Sequence, residues 1–134
     1  MSAVLAPPEH REYRGGVSEQ PDQLLFTYGS LQDAEVQLDT FGRLDCAHNN
    51  AGVSSPPART ADTDDAHWHR VLDVVLTGTY LCMKAELAVM AAQGSGAIVN
   101  TASTASFTAV PGVTPYVAAK HGVLGLTRNA ALEY

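Results

Sequence analysis

Between residues 63 and 93 apolar side chains return every three or four positions, at Trp68, Val71, Leu72, Val75, Leu76, Thr79, Tyr80 and Met83. That period gathers them on one broad face of an α-helix. The helix should begin near Thr63, with Asp64 and Asp65 in its first turn at the positive end of the dipole, and end at Gln93-Gly94-Ser95-Gly96. A second helix, from about Pro115 to Glu133, puts Tyr116, Lys120, Val123, Leu124 and Thr127 on one side. It contains Gly122 and Gly125. Each costs roughly 1 kcal/mol relative to alanine in a helix interior, so a close packing contact is the expected reason for both.

Shorter apolar runs without a helical period read as strands. Leu24 to Tyr28 is stopped by Gly29-Ser30, and Leu44 to His48 by Asn49-Asn50-Ala51-Gly52 and a loop holding Pro56-Pro57. Ala97-Ile98-Val99-Asn100 is β-branched and unpatterned, as expected of a parallel strand covered on both faces. Asp33 to Phe41 fits a short helix and Thr101 to Thr114 a connecting loop, while residues 1 to 21, with three prolines and Gly15-Gly16 among charges, read as a disordered lead. Strands alternating with helices, without a tight hairpin signal, give an α/β fold with parallel strands.

Composition narrows the function classes. The 134 residues allow one domain, and a net charge of -6 with eight thinly spread basic residues offers no stripe for nucleic acid. Cys46 and Cys82 lie in apolar segments, which suits buried free thiols and a cytoplasmic setting. Met1 to Pro8 lacks the basic start and apolar run of a secretory signal, and the apolar stretch Val71 to Ala92 is interrupted by Asp73, Lys84 and Glu86, so no membrane span is expected. No metal site is expected either, because His67 and His69 point to nearly opposite sides of a helix without an acidic or cysteine cluster. A hydrolase built on Ser103 and His121 would lack the G-x-S-x-G elbow.

The candidate chemistry is in Tyr116-Val117-Ala118-Ala119-Lys120, where one helical turn sets a phenol beside an ammonium, a neighbour that favours the phenolate. Such a pair alone is common on helix surfaces. Its companions are more specific: Asn49-Asn50-Ala51-Gly52 after one strand, Val99-Asn100-Thr101-Ala102-Ser103 at the end of another, and Ser103 thirteen positions before Tyr116. Together with Phe41-Gly42-Arg43-Leu44-Asp45, Trp68, Leu76-Thr77-Gly78 and Gly122 to Thr127, this set resembles the short-chain dehydrogenase/reductase family from about Phe41 to Tyr134.

The resemblance implies a partial Rossmann-like, doubly wound parallel sheet with two long helices, and NAD or NADP as cofactor. Tyr116 would be the general acid/base for the substrate's hydroxyl or carbonyl oxygen, and Lys120 would favour its phenolate and hold the nicotinamide ribose. Ser103 would hydrogen-bond the same substrate oxygen. Asn50, Ala51 and Gly52 would pass beside the adenosine half of the cofactor, and Asn49 would tie adjacent strands. A small alcohol or carbonyl substrate and a homo-oligomer formed through the two long helices follow from the same likeness. One position departs from the pattern: the family's relay asparagine, twenty-eight residues before the serine, is Val75 here, in Val74-Val75-Leu76-Thr77-Gly78.

A complete family member opens with a strand, a glycine-rich turn and a helix that binds the pyrophosphate. Gly15-Gly16 fits no such turn, so the expectation is a truncated chain lacking the first βαβ unit and continuing, in its relatives, past Tyr134. Residues 22 to 43, with Tyr28-Gly29-Ser30-Leu31, resemble instead the start of a γ-glutamylcyclotransferase-like protein, without the distant glutamate that activity needs. The competing expectation is a chimeric remnant with weak cofactor affinity, which micromolar NADH or NADPH binding by calorimetry would overturn.

Overall fold

In the computed structural model of the chain, the described residues are 24–26 and 43–134. The lead at 1–21, the Gly29-Ser30 turn, the helix expected over Asp33 to Phe41 and most of the cyclotransferase-like segment lie outside them. Three strands form one parallel sheet in the order β1-β2-β3: β1 (Leu24–Phe26), β2 (Cys46–Asn49) and β3 (Ala97–Asn100). The register sets Cys46 against Ala97 and Asn49 against Asn100, so the carboxyl ends of β2 and β3 lie side by side.

Helix α1 runs over Asp65–Gln93 and helix α2 over Thr114–Glu133. Asp64 stands outside the first turn of α1 and caps it, its Oδ1 accepting from the amides of Ala66 at 2.8 Å and His67 at 3.2 Å. Gly94 closes α1 in the left-handed region at φ 71°, where glycine carries no Cβ penalty. Just before it, the Gln93 side chain grips Leu44: the Leu44 amide donates to Oε1 and Nε2 donates to the Leu44 carbonyl, both at 2.8 Å. This holds the entry to β2 against the end of α1.

The α1 segment contains one irregularity, a π-helical turn at Asp73–Thr77. It shifts the buried stripe, which runs Val71, Val75, Thr79, Met83, Glu86 and Met90, while Tyr80 is turned outward. Val71, Val75, Ala119 and Val123 make the core between α1 and α2, with Tyr116 and Leu76 packed against it. Leu44, Ala47 and Met90 make a second core under the sheet. Of the two α2 glycines, Gly122 has the expected contact, since a Cβ there would lie 2.7 Å from Leu76 Cδ1. Gly125 has none, and the packing reason expected for it is withdrawn.

Three other expectations change. β3 is covered on one face among the described residues: Ile98 and Asn100 turn toward the helices and Val99 is 60 % exposed. The covering of a strand is a tertiary property that its letters do not encode. Both cysteines are free, as expected, but half-buried, and burial together with the neighbouring Glu86 pushes the Cys82 thiol up. Finally, α1, at 29 residues, is long and apolar enough to cross a membrane by length and composition. Among the described residues it packs against β2, β3 and α2 along one side, and 28 % of its apolar window is buried.

A polar chain crosses this core. Asn49 Nδ2 donates to Glu86 Oε2 at 3.0 Å and to Asn100 Oδ1 at 2.9 Å. Asn100 Nδ2 in turn donates to Thr127 Oγ1 at 2.9 Å and to Met83 Sδ at 3.2 Å, and Thr127 Oγ1 donates to the Val123 carbonyl. Two strands and two helices are thus joined by side chains whose isolated burial would be costly. Asn49 does tie adjacent strands, as the resemblance implied.

Candidate active site

Parallel sheets bind ligands beyond the carboxyl ends of their strands. Here β2 runs out into Asn50, Ala51 and Gly52, and β3 into Thr101, Ala102 and Ser103. The ladder is closed by the Thr101 amide donating to the Asn49 carbonyl at 2.9 Å. The loop after Gly52 returns to the start of α2, where the Ala58 amide donates to the Gly112 carbonyl and Thr60 Oγ1 meets Thr114 Oγ1, both at 2.9 Å. Gly112, at φ 88°, makes the turn that permits this approach. Pro115, in the first turn of α2, is preorganised for a helix start and places Tyr116 directly behind it.

Ser103 is held by the turn it caps. Its Oγ accepts from the Ala105 amide at 3.1 Å, its own amide donates to Ser106 Oγ at 3.1 Å, and its carbonyl accepts from the Ser106 amide at 2.9 Å. The 3-10 turn Thr104–Ser106 then packs on α2. With Oγ already accepting, the hydroxyl proton of Ser103 is left to donate to a ligand oxygen.

Lys120 is 4 % exposed and its Nζ donates to the carbonyl of Thr101. The same ammonium lies 5.8 Å from the centroid of the half-buried Tyr116 ring. Burial lowers the Lys120 pKa from the usual amine range. An ammonium has three donors, so the bond to Thr101 leaves others for a ribose hydroxyl. The structure therefore brings Ser103, Tyr116 and Lys120 to one corner, where β3 meets α2. Asn50, Ala51 and Gly52 stand at the neighbouring strand end, with Asn50 and Gly52 exposed.

Comparison with known proteins identifies the family. The family model for short chain dehydrogenase matches residues 30–134. The chain belongs to the short-chain dehydrogenase family. It is 46 % identical over 100 residues to the cyclohexanol dehydrogenase of Acinetobacter sp. (strain SE19), covering 75 % of this chain and 40 % of that protein. The crystal structure of levodione reductase superposes with a TM-score of 0.75 at 36 % identity, over 81 % of this chain and 45 % of the other. ElxO with NADP bound superposes with a TM-score of 0.72 at 34 % identity, over 78 % and 45 %. The chain thus spans less than half the length of these relatives, and the family match begins eleven residues before Phe41.

Within the family frame, Val75 is completely buried in the middle of the π-turn. Its side chain belongs to the α1–α2 core, and its carbonyl accepts from Thr79 Oγ1 at 2.8 Å. Position 75 therefore offers no side-chain polar group to a proton-relay water. Sequence reasoning missed two contributors to the corner. Ser106 had a signal, since Ser103-x-x-Ser106 is a capping-box spacing. Thr101 had none, because it acts through a backbone carbonyl.

The donors that Lys120 keeps free beside the Tyr116 phenol suit the ribose hydroxyls of a dinucleotide, and the exposed strand end at Asn50 and Gly52 leaves room for a ligand alongside. The N-terminus of α1 is no pyrophosphate cradle, because the Asp64 carboxylate already occupies its first amides.

Proposed function

We propose that this chain carries the acid/base half of an NAD- or NADP-dependent oxidoreductase acting on a small secondary alcohol or its ketone. The observation that carries the reading is the buried Lys120 ammonium beside the Tyr116 ring, one strand end from a preset Ser103. In ketone reduction, Ser103 donates to the carbonyl oxygen while Tyr116 delivers its phenolic proton to the same atom. Lys120 stabilises the phenolate left behind, and the steps reverse for alcohol oxidation. The nicotinamide supplies or accepts the hydride. Water is kept from the back of Tyr116 by the core of Val71, Val75, Ala119 and Val123.

The test is ketone-dependent oxidation of NADH or NADPH by the purified chain, with a cyclic ketone as substrate and a full-length relative as positive control. Turnover is expected, and Ser103→Ala should lower it by about 10²–10³-fold. Absence of turnover in the unsubstituted chain would refute the assignment.

The same reading makes the protein a cytoplasmic homo-oligomer. Tyr80 and Leu81 of α1 are about half exposed and Leu132 of α2 is nearly fully so, which leaves apolar surface on both long helices. Light scattering should report a dimer or larger species, and a monodisperse monomer would count against the helix-mediated assembly.

A further inference from the structure

The bond that holds Lys120 ends on a backbone carbonyl, and a carbonyl points where its own residue's torsions send it. Thr101 has just left β3. Its amide is fixed by the Asn49 carbonyl at 2.9 Å, but its carbonyl lies beyond the last rung of the ladder. What restrains that side of the residue is its hydroxyl, since Thr101 Oγ1 lies 2.8 Å from His48 Nε2. Threonine is β-branched, so fixing Oγ1 fixes χ1 and narrows the backbone torsions compatible with it. His48 sits one residue before Asn49 on β2, so two successive β2 residues grip Thr101, one through its side chain and one through its amide.

We infer that His48 is a positioning residue for Lys120, acting through Thr101. Neither ring tautomer changes the argument: Nε2 and Oγ1 pair whichever carries the proton. The flexible four-carbon stem of a lysine has many rotamers, and a displaced carbonyl would release the ammonium from the corner it shares with Tyr116. The inference rests on the proposed role of Lys120 only for its meaning to catalysis. Its physical content, that His48 immobilises the Lys120 ammonium, stands or falls separately.

The chain carries two lysines, the buried Lys120 and the exposed Lys84, so Lys84 is an internal standard within every sample. Brief acetylation of the full chain with acetic anhydride, followed by peptide mass spectrometry, gives the Lys120:Lys84 modification ratio. His48→Leu and Thr101→Val are each expected to raise that ratio about fivefold, the scale of one net hydrogen bond. His48→Gln and Thr101→Ser, which keep a polar partner, should return it toward the unsubstituted value. An unchanged ratio in the Leu and Val variants, with intact far-UV circular dichroism, overturns the inference. So does a failure of Gln and Ser to rescue, which would make the effect one of packing. If His48→Leu does not fold, the isosteric Thr101→Val decides, and unfolding of that variant too would reduce the pair to a structural role. None of these readouts uses turnover. An inactive chain with a responsive ratio would leave the inference intact and remove the oxidoreductase reading, and the converse result would do the opposite.

Discussion

Tyr116→Phe is expected to lower ketone-dependent cofactor oxidation by about 10²–10⁴-fold, the usual contribution of a positioned acid/base group. The substitution is clean in this setting. Phenylalanine keeps the ring that packs on the α1–α2 core and lies 5.8 Å from the Lys120 ammonium. Lys120 keeps its bond to Thr101, and Ser103 keeps its cap. What disappears is one hydroxyl. Thermal stability should stay within about 0.5 kcal/mol of the parent, as for substitutions that leave no buried group unpaired. Turnover numbers for the two proteins at matched cofactor saturation make the comparison. Unchanged turnover would remove Tyr116 from the mechanism.

The second large effect concerns stability and belongs to Glu86. This carboxyl is 4 % exposed, and burial raises its pKa, partly opposed by the hydrogen bond from Asn49. A carboxyl whose folded pKa exceeds its unfolded value binds its proton more tightly in the folded state. The associated stability is therefore full below the unfolded pKa and is lost as pH rises through the folded one. Glu86→Gln keeps an acceptor for Asn49 Nδ2 and removes the charge. Its stability should match the parent in acid and exceed it near neutrality, as read by urea denaturation at several pH values. Asn49→Leu is the harsher change. It strips Glu86 and Asn100 of their shared donor and should cost about 2–4 kcal/mol near neutral pH. A Glu86→Gln profile parallel to the parent at every pH would show that the carboxyl does not titrate within the transition.

What the sequence made legible follows from what a sequence encodes. The two long helices were plain because thirty residues of three- and four-step periodicity leave little alternative, and the candidate trio Ser103, Tyr116 and Lys120 could be picked out by its fixed spacings. The π-turn at Asp73–Thr77 was hidden, since one additional residue per turn alters the phase of the stripe without altering its composition. That phase shift turns Tyr80, which the periodicity places on the apolar face, outward, and brings Glu86 into the buried stripe. A carboxylate was taken as an interruption of the apolar run, whereas its partner Asn49 lies thirty-seven residues away in β2. The role of Thr101 could not be read at all, because every residue has a carbonyl and only the fold decides which one meets an ammonium.

The alternation along β3 has a further consequence. Among the described residues β3 is at the margin of the sheet, with Val99 facing outward and neither proline nor lysine within Ala97–Asn100. Margins of that kind are templates on which another chain can add a strand, and natural proteins usually guard them with charge or cover. The same four residues lead into Thr101 and Ser103. The exposed face at Val99 and the reactive corner therefore share one stretch of backbone, so a charged side chain at position 99 would alter the surface immediately beside Thr101 and Ser103.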